Sequence, residues 1–385
     1  MDTETKTTNI NFNEVLTRLF SLLSIREKDV LSRRHSLLKG LKRKETLEKI
    51  GQDYKVTRER VRQIERDGLK KMKEKLEQSG VLDNLNEIEA TINKFLRKYG
   101  GAMQEDRLLD SLVDFYGLSS KDLAEEEVLQ HKKSLAFIIS QLLANKFEKI
   151  ENRDHFHDSW KLKETPWELV EEVIEKLVAL INTNGQPVKV DEFFRLLKNQ
   201  DFYRELSEKI SNLPEMKQTG LDLDEAVSSY IHTSKRIKKN LFGQVGMSHW
   251  SSITPKRMAD KIYLVMKEAG KPLHFTEIAE LINQTKFDHK KALPATIHNE
   301  LILDSRYVLI GRGIYALKEW GYETGTVTEV IAKVLAQKSP LSKDEIAVEV
   351  AKQRLVKKAT INLALMNKDK FKKLADKKYT LANKE

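Results

Sequence analysis

Between positions 57 and 66 the chain reads TRERVRQIER. If a helix starts after Thr57, then Arg58, Glu59, Arg62, Gln63 and Arg66 share one face, because one-, four- and five-residue offsets return side chains to the same side. These groups suit the edges of base pairs. Arg can take the acceptors of guanine, Glu can accept from the amine of cytosine, and Gln can pair with adenine. Val61, Ile64 and Leu69 fall on the opposite face and predict a buried stripe. The helix N-terminus and the neighbouring lysines would hold phosphates and fix the register.

The preceding residues must position that helix. Leu47 and Ile50 are spaced to face inward from a short helix. Gly51 and the Asp53-Tyr54-Lys55 turn are expected to reverse the chain, Val56 to plug the turn, and Thr57 to cap the next helix. Thr46–Lys73 thus has helix-turn-helix spacing. An ordinary surface helix with paired Arg and Glu would also carry these charges, but it would not explain why turn, inward stripe and outward face agree.

This stretch resembles region 4.2 of bacterial sigma-70 family factors, most closely through Val56–Glu65, VTRERVRQIE. Upstream, Ser24–Arg34 is similar to their region 4.1, and the resemblance covers about residues 12–78. It implies base contacts from Arg58, Glu59, Arg62 and Gln63, backbone contacts near Thr46, Leu47 and Glu48, and a grip on the flap of the polymerase β subunit. The sequence departs from the family pattern at three places. Asp67 replaces a common basic residue, Gly68 interrupts the helical run, and His35 stands where an aromatic is usual. Nothing resembles the region 2 that melts promoters.

Beyond residue 80 a degenerate repeat of about 60–90 residues recurs, as a self-similarity search finds. Each unit offers an apolar helix, a turn, two further helices and two strand-like runs, which describes a winged helix. The expected fold is mainly α: a helix-turn-helix followed by tandem winged-helix units of three helices plus a β-hairpin. The expected division is a flexible tail at 1–11, the region 4-like part at 12–80, and units at 81–165, 166–253, 254–322 and 323–385. The second unit is stretched by Asn212–Glu225 and expected to end in a strand at Met247–Trp250. Residues 271–282 and 306–317 resemble the HARE-type winged helix found in the delta subunit of Gram-positive RNA polymerase. That likeness implies a nucleic-acid or polymerase role without catalysis. His274 and Phe275 are expected to pack at a helix entry. Gly311-Arg312-Gly313 predicts a tight turn whose Arg312 can reach a phosphate or minor groove.

Charge and composition narrow the classes. The chain has 385 residues, 68 Lys+Arg against 58 Asp+Glu, and no Cys, so disulfides and thiolate chemistry are excluded. Residues 26–75 carry 18 basic and 9 acidic side chains, and residues 325–385 carry 14 and 7, so both ends suit a polyanion. Six lysines, Lys368, Lys370, Lys372, Lys373, Lys377 and Lys378, surround the last hairpin. No signal peptide, membrane span or phosphate loop is read, and His155 and His157 fit a hairpin tip better than a metal site. The expected function is that of a bacterial transcription regulator reading promoter-like duplex DNA and associating with RNA polymerase core, in the cytoplasm at the nucleoid. Neither a cofactor, a metal nor a small-molecule substrate is expected. The rival reading is a polymerase-associated scaffold that does not read sequence; a restriction-type enzyme is weaker, for want of a catalytic constellation.

Overall fold

The computed structural model describes residues 10–41, 43–119, 123–213, 222–322 and 325–382. It is mainly helical, with small sheets, and forms two compact units: Met1–Lys238 with Gly246–Ser248, and Lys239–Val245 with His249–Glu385.

The first unit opens with α1 (Phe12–Ser21), α2 (Ile25–Arg34), α3 (Leu47–Tyr54) and α4 (Arg58–Glu74). The polar start expected to fray stops early: residues 1–9 lie outside the described residues, Ile10 is buried, and Asn11 caps α1 by accepting from the Asn13 and Glu14 amides. Phe12, Val15, Leu16, Leu19 and Phe20 form the buried stripe of α1. Each such burial contributes about 1.5–3 kcal/mol before entropy is counted. A capping box between Ser24 and Glu27 starts α2.

Then come α5 (Leu82–Lys98), β1 (Ala102–Gln104), α6 (Glu105–Phe115), α7 (Glu125–Phe137), β2 (Phe147–Ile150) and β3 (Ser159–Leu162). The strands order β1-β3-β2 and pair antiparallel. The stripe of α1 does not close on the helix-turn-helix. It joins Leu31 and Met72 with Leu85, Ile88, Leu112, Phe137 and Trp160 in one continuous core reaching Leu162. A separate small core of Val30, Ile50, Val61 and Ile64 holds α2, α3 and α4 together.

The loop between β2 and β3 is not a free hairpin tip. Phe156 bridges Ser234, the His157 amide donates to the Thr233 carbonyl at 2.7 Å, and Lys235 donates to the His155 carbonyl at 2.8 Å. Among the described residues no cluster of His and acidic side chains could hold a metal.

The stretch that follows contains α8 (Trp167–Asn184), β4 (Val188–Lys189), α9 (Val190–Lys198), α10 (Asp201–Ser211), α11 (Leu223–Thr233), β5 (Ile237–Lys239) and β6 (Gln244–Met247). It has four helices where three were expected, and residues 214–221 of its acidic stretch lie outside the described residues. The last strand ends at Met247, so Ser248–Trp250 is turn, not strand. Helix α11 seats on the turn after α5: Tyr230 donates to the Gly100 carbonyl and Ser229 to that of Ala102. Gly100 has φ +79, and a Cβ there would stand 2.7 Å from that of Ala226, so only glycine fits.

The second unit contains α12 (Met258–Ala269), β7 (Leu273–His274), α13 (Phe275–Thr285), α14 (Pro294–Leu303), β8 (Tyr307–Gly311) and β9 (Ile314–Leu317), ordered β7-β9-β8. His274 caps α13 and stacks near Phe275. Then follow α15 (Val327–Gln337), α16 (Lys343–Ala351), α17 (Lys358–Ala364), β10 (Phe371–Lys373) and β11 (Tyr379–Leu381), on a core including Ile331, Leu335, Ile346 and Ile361. Buried Arg354 joins the two halves by donating to the Leu309 carbonyl at 3.1 Å and to that of Gly325. Leu355 adds a backbone bond to Ile310 at 3.0 Å. No helix among the described residues is long and apolar enough to cross a membrane.

Candidate nucleic-acid interface

The turn between α3 and α4 is tighter and later than the spacing predicts. Helix α3 runs through Gly51, Asp53 and Tyr54, and the reversal occurs at Lys55, whose φ is +53. Gly51 does not break the helix; it is buried there because a Cβ would stand 2.8 Å from the Val56 carbonyl oxygen. Val56 returns its amide to the Gly51 carbonyl at 2.9 Å, and Thr57 caps α4 by accepting from Arg60 at 3.2 Å. Gly68 likewise has a packing cause. It is buried where α4 crosses α2, and a Cβ would meet Leu31 at 3.3 Å and Glu27 at 3.4 Å.

Beneath the exposed face lies a set of ion pairs that the sequence reading missed. Arg33 on α2 holds Glu45 at 2.6 Å, Asp29 at 3.7 Å, and Asp53. Burial opposes the Arg33 charge, but Asp53 and Glu45 outweigh it and push its pKa up. Arg34 and His35 meet Glu65 at 3.3 and 3.5 Å, tying α2 to α4. Burial works to raise the Glu65 carboxyl, yet His35 and Arg34 hold it below its ordinary range. His35 also sets its ring edge-on to Phe137 at 4.9 Å, which takes up the place of an aromatic. Tyr54 donates to Asp29 at 2.8 Å under the Arg26 guanidinium. The only signal for this in the sequence is an α2 rich in both charge signs, which does not say which carboxylates come near.

On the outer face, Arg58, Glu59, Arg62 and Arg66 are exposed and Gln63 is half-buried. The arginine side chains at 58 and 62 keep 69% and 54% of their area, so no neighbouring element among the described residues covers them. Each is paired locally. Arg58 meets Glu48 at 3.1 Å across the two helix starts, Arg62 holds Glu59, and Arg66 meets Asp67 at 3.4 Å. The Arg62 hydrogen bond keeps the Glu59 carboxyl below its ordinary range. Arg60 donates to Gln63 at 3.1 Å.

The expected backbone contacts sort into two kinds. Thr46 caps α3 by accepting from the Lys49 amide at 3.2 Å, so its hydroxyl is already used. Leu47 turns its side chain into the small core. What this helix start offers is the first amides, Leu47 and Glu48, which have no acceptor within a helix. Arg312 is exposed at the β8–β9 turn of the second unit. Its turn needs Gly313, at φ +69.

The comparisons fall on this same module. Residues 19–74 match the family model described as Sigma-70, region 4. The RNA polymerase sigma factor SigA of Nostoc sp. (strain PCC 7120) is 50% identical over 60 residues, which are 16% of this chain and 15% of that protein. SigA1 of Synechococcus elongatus is 52% identical over 60 residues, 16% of this chain and 14% of its own. SigA of Microcystis aeruginosa is 50% identical over the same length and covers 14% of its own chain. The chain thus spans about a seventh of the length of these curated relatives. Family match, capped turn, small core and exposed arginine face coincide: residues 19–74 are a sigma-70 region 4 domain.

Proposed function

We propose that this protein is a sigma factor-like transcription regulator that reads promoter-type duplex DNA through α4 and associates with RNA polymerase core. The observation that carries it is the open face of α4, where Arg58, Glu59, Arg62 and Arg66 project to solvent from a helix fixed underneath by Arg33, Arg34 and Glu65. A rigid helix with free arginine and glutamate tips is what direct reading of base edges requires. The relatives' names tie such a module to RNA polymerase. The amides of Leu47 and Glu48 and the cap of α4 would take backbone phosphates.

The finer assignments follow from that reading. The parts after residue 80 act as winged helices, divided at 81–165, 166–253, 254–322 and 323–385, with the third of HARE type. The order helix, strand, helix, helix and hairpin at Met258–Leu317 supports this. Arg312 at its turn contacts a phosphate or a minor groove. The α2 side grips the polymerase β flap, and Ile25, 91% exposed at the first turn of α2, supplies an apolar contact. The protein works at the nucleoid.

A second reading has an observation in its favour. Arg58, Arg62 and Arg66 already hold carboxylates, so α4 presents a nearly self-neutralised surface to a partner protein. On this reading the chain is a polymerase-associated scaffold. Binding to a library of duplexes separates the two. Sequence preference that Arg62→Ala abolishes supports DNA reading. No duplex preference, with polymerase still co-purifying, supports the scaffold.

A further inference from the structure

Lysines are mostly paired in this structure, and one place breaks the pattern. Lys71, Lys98, Lys149, Lys176, Lys198, Lys209, Lys261 and Lys267 each hold a carboxylate. After α17, five lysines do not: Lys368, Lys370, Lys372, Lys373 and Lys377 are exposed and make no ion pair. Residues 366–378 carry six lysines against two aspartates, and Asp376 is taken by Lys378 at 3.9 Å. So many like charges on one short hairpin repel each other, and nothing in the fold offsets that cost.

We infer that the β10–β11 hairpin with the end of α17 is a second duplex-binding site, which grips the phosphate backbone and does not read sequence. Lysine is a flexible point charge, suited to a regular row of phosphates. It is depleted from the centres of protein–protein interfaces, which favours nucleic acid over an acidic protein. Leu363 and Met366, both exposed on α17, can meet sugars or thymine methyl groups. Arg354 and Leu355 fix the β8–β9 hairpin to the connection before α17, so Arg312 belongs to the same rigid body as these lysines. The site uses none of the α4 residues and does not depend on their reading of bases.

The test is a salt titration of full-length protein on a random-sequence duplex. A variant with Lys368→Gln, Lys370→Gln, Lys372→Gln and Lys373→Gln is compared with a control carrying Lys94→Gln, Lys163→Gln, Lys239→Gln and Lys271→Gln. The hairpin variant is expected to lower the slope of log affinity against log salt by about 3, near 0.9 per phosphate lost, and to bind more than about tenfold more weakly at low salt. The control keeps the wild-type slope, and Lys→Arg at the four hairpin positions restores it. A wild-type slope in the hairpin variant overturns the inference. If poly-glutamate binding is lost instead, the surface belongs to an acidic polypeptide. Arg62→Ala is expected to change the ratio between sequences with a slope change of at most about one, so this site and the α4 reading fail separately.

Discussion

Arg62 reaches back one turn of α4 and takes both carboxylate oxygens of Glu59, at 2.6 and 2.8 Å. Neither group is buried, so water and salt screen the pair and its opening costs little. DNA can therefore replace Glu59 as the partner of Arg62, and the pair acts as a gate on base reading. Glu59→Gln is expected to leave Arg62 free for any phosphate. Random-sequence duplex then binds several-fold tighter while the preference among sequences narrows. Arg62→Ala is expected to flatten preference by roughly tenfold to a hundredfold at its base position. Competition anisotropy with a duplex library measures both. Unchanged preference in the two variants would sink the groove assignment.

Gly51 and Gly68 look alike in sequence, as weak points within helical runs, but the structure predicts different penalties. A Cβ on Gly51 meets the Val56 backbone carbonyl at 2.8 Å, and backbone cannot move aside cheaply. Gly51→Ala is expected to destabilise by about 1–3 kcal/mol despite the better helix former. A Cβ on Gly68 meets side-chain atoms of Leu31 and Glu27 at 3.3 and 3.4 Å, which can yield by tenths of an ångström. Gly68→Ala is expected to stay within about 1 kcal/mol of wild type, the helix-propensity gain of that size offsetting the crowding. Urea unfolding of the two variants orders them, and Gly68→Ala proving the more damaging would refute the packing account.

The recognition face was legible because it depends on local periodicity. Thr57 as cap, Val61 and Ile64 as inward residues, and Arg58, Glu59 and Arg62 as outward ones all follow from helical spacing. The three-helix-and-hairpin order at Met258–Leu317 was legible for the same reason. What escaped depends on neighbours distant in sequence. No spacing rule says that Arg33 will gather Asp29, Glu45 and Asp53, or that the β2–β3 loop will pair with residues 233–235. Nor does the stripe of α1 say that it will pack on Tyr116 and Phe137 instead of on its own helix-turn-helix.

That shared core has a measurable consequence. Phe12 is fully buried and sets its ring edge-on to Tyr116 at 5.3 Å. Phe12→Ala is expected to cost about 3–5 kcal/mol, and the loss is felt by both segments that pack on it. Hydrogen exchange should show amides of α4 and of α5–α6 losing protection together. Ile50→Ala, in the small core, is expected to cost about 2–5 kcal/mol and to loosen α3 and α4 first. Loss of protection confined to α1 in the Phe12 variant would show that the continuous core is not cooperative.

Acid sensitivity follows from Glu65. Its carboxyl is held below its ordinary value of 4.5 in the folded chain, by His35 and Arg34 acting against burial. A group whose pKa is lower folded than unfolded stabilises the fold above the unfolded value. That contribution is lost as pH falls from about 4.5 through the folded value. Glu27, between Ser24 and Lys71, and Asp53, beside Arg33, are shifted in the same direction. The helix-turn-helix should therefore weaken below about pH 4.5, by protonation of carboxylates that link α2 to α3 and α4. Glu65→Gln should lower stability at neutral pH by about 1–3 kcal/mol, because Arg34 loses a charged acceptor. The same variant should flatten the acid limb, since one of the shifted groups is gone. Thermal melts from pH 7 to pH 3 measure both effects. An acid limb as steep in Glu65→Gln as in wild type would remove Glu65 from the account and leave Glu27 and Asp53 to carry it.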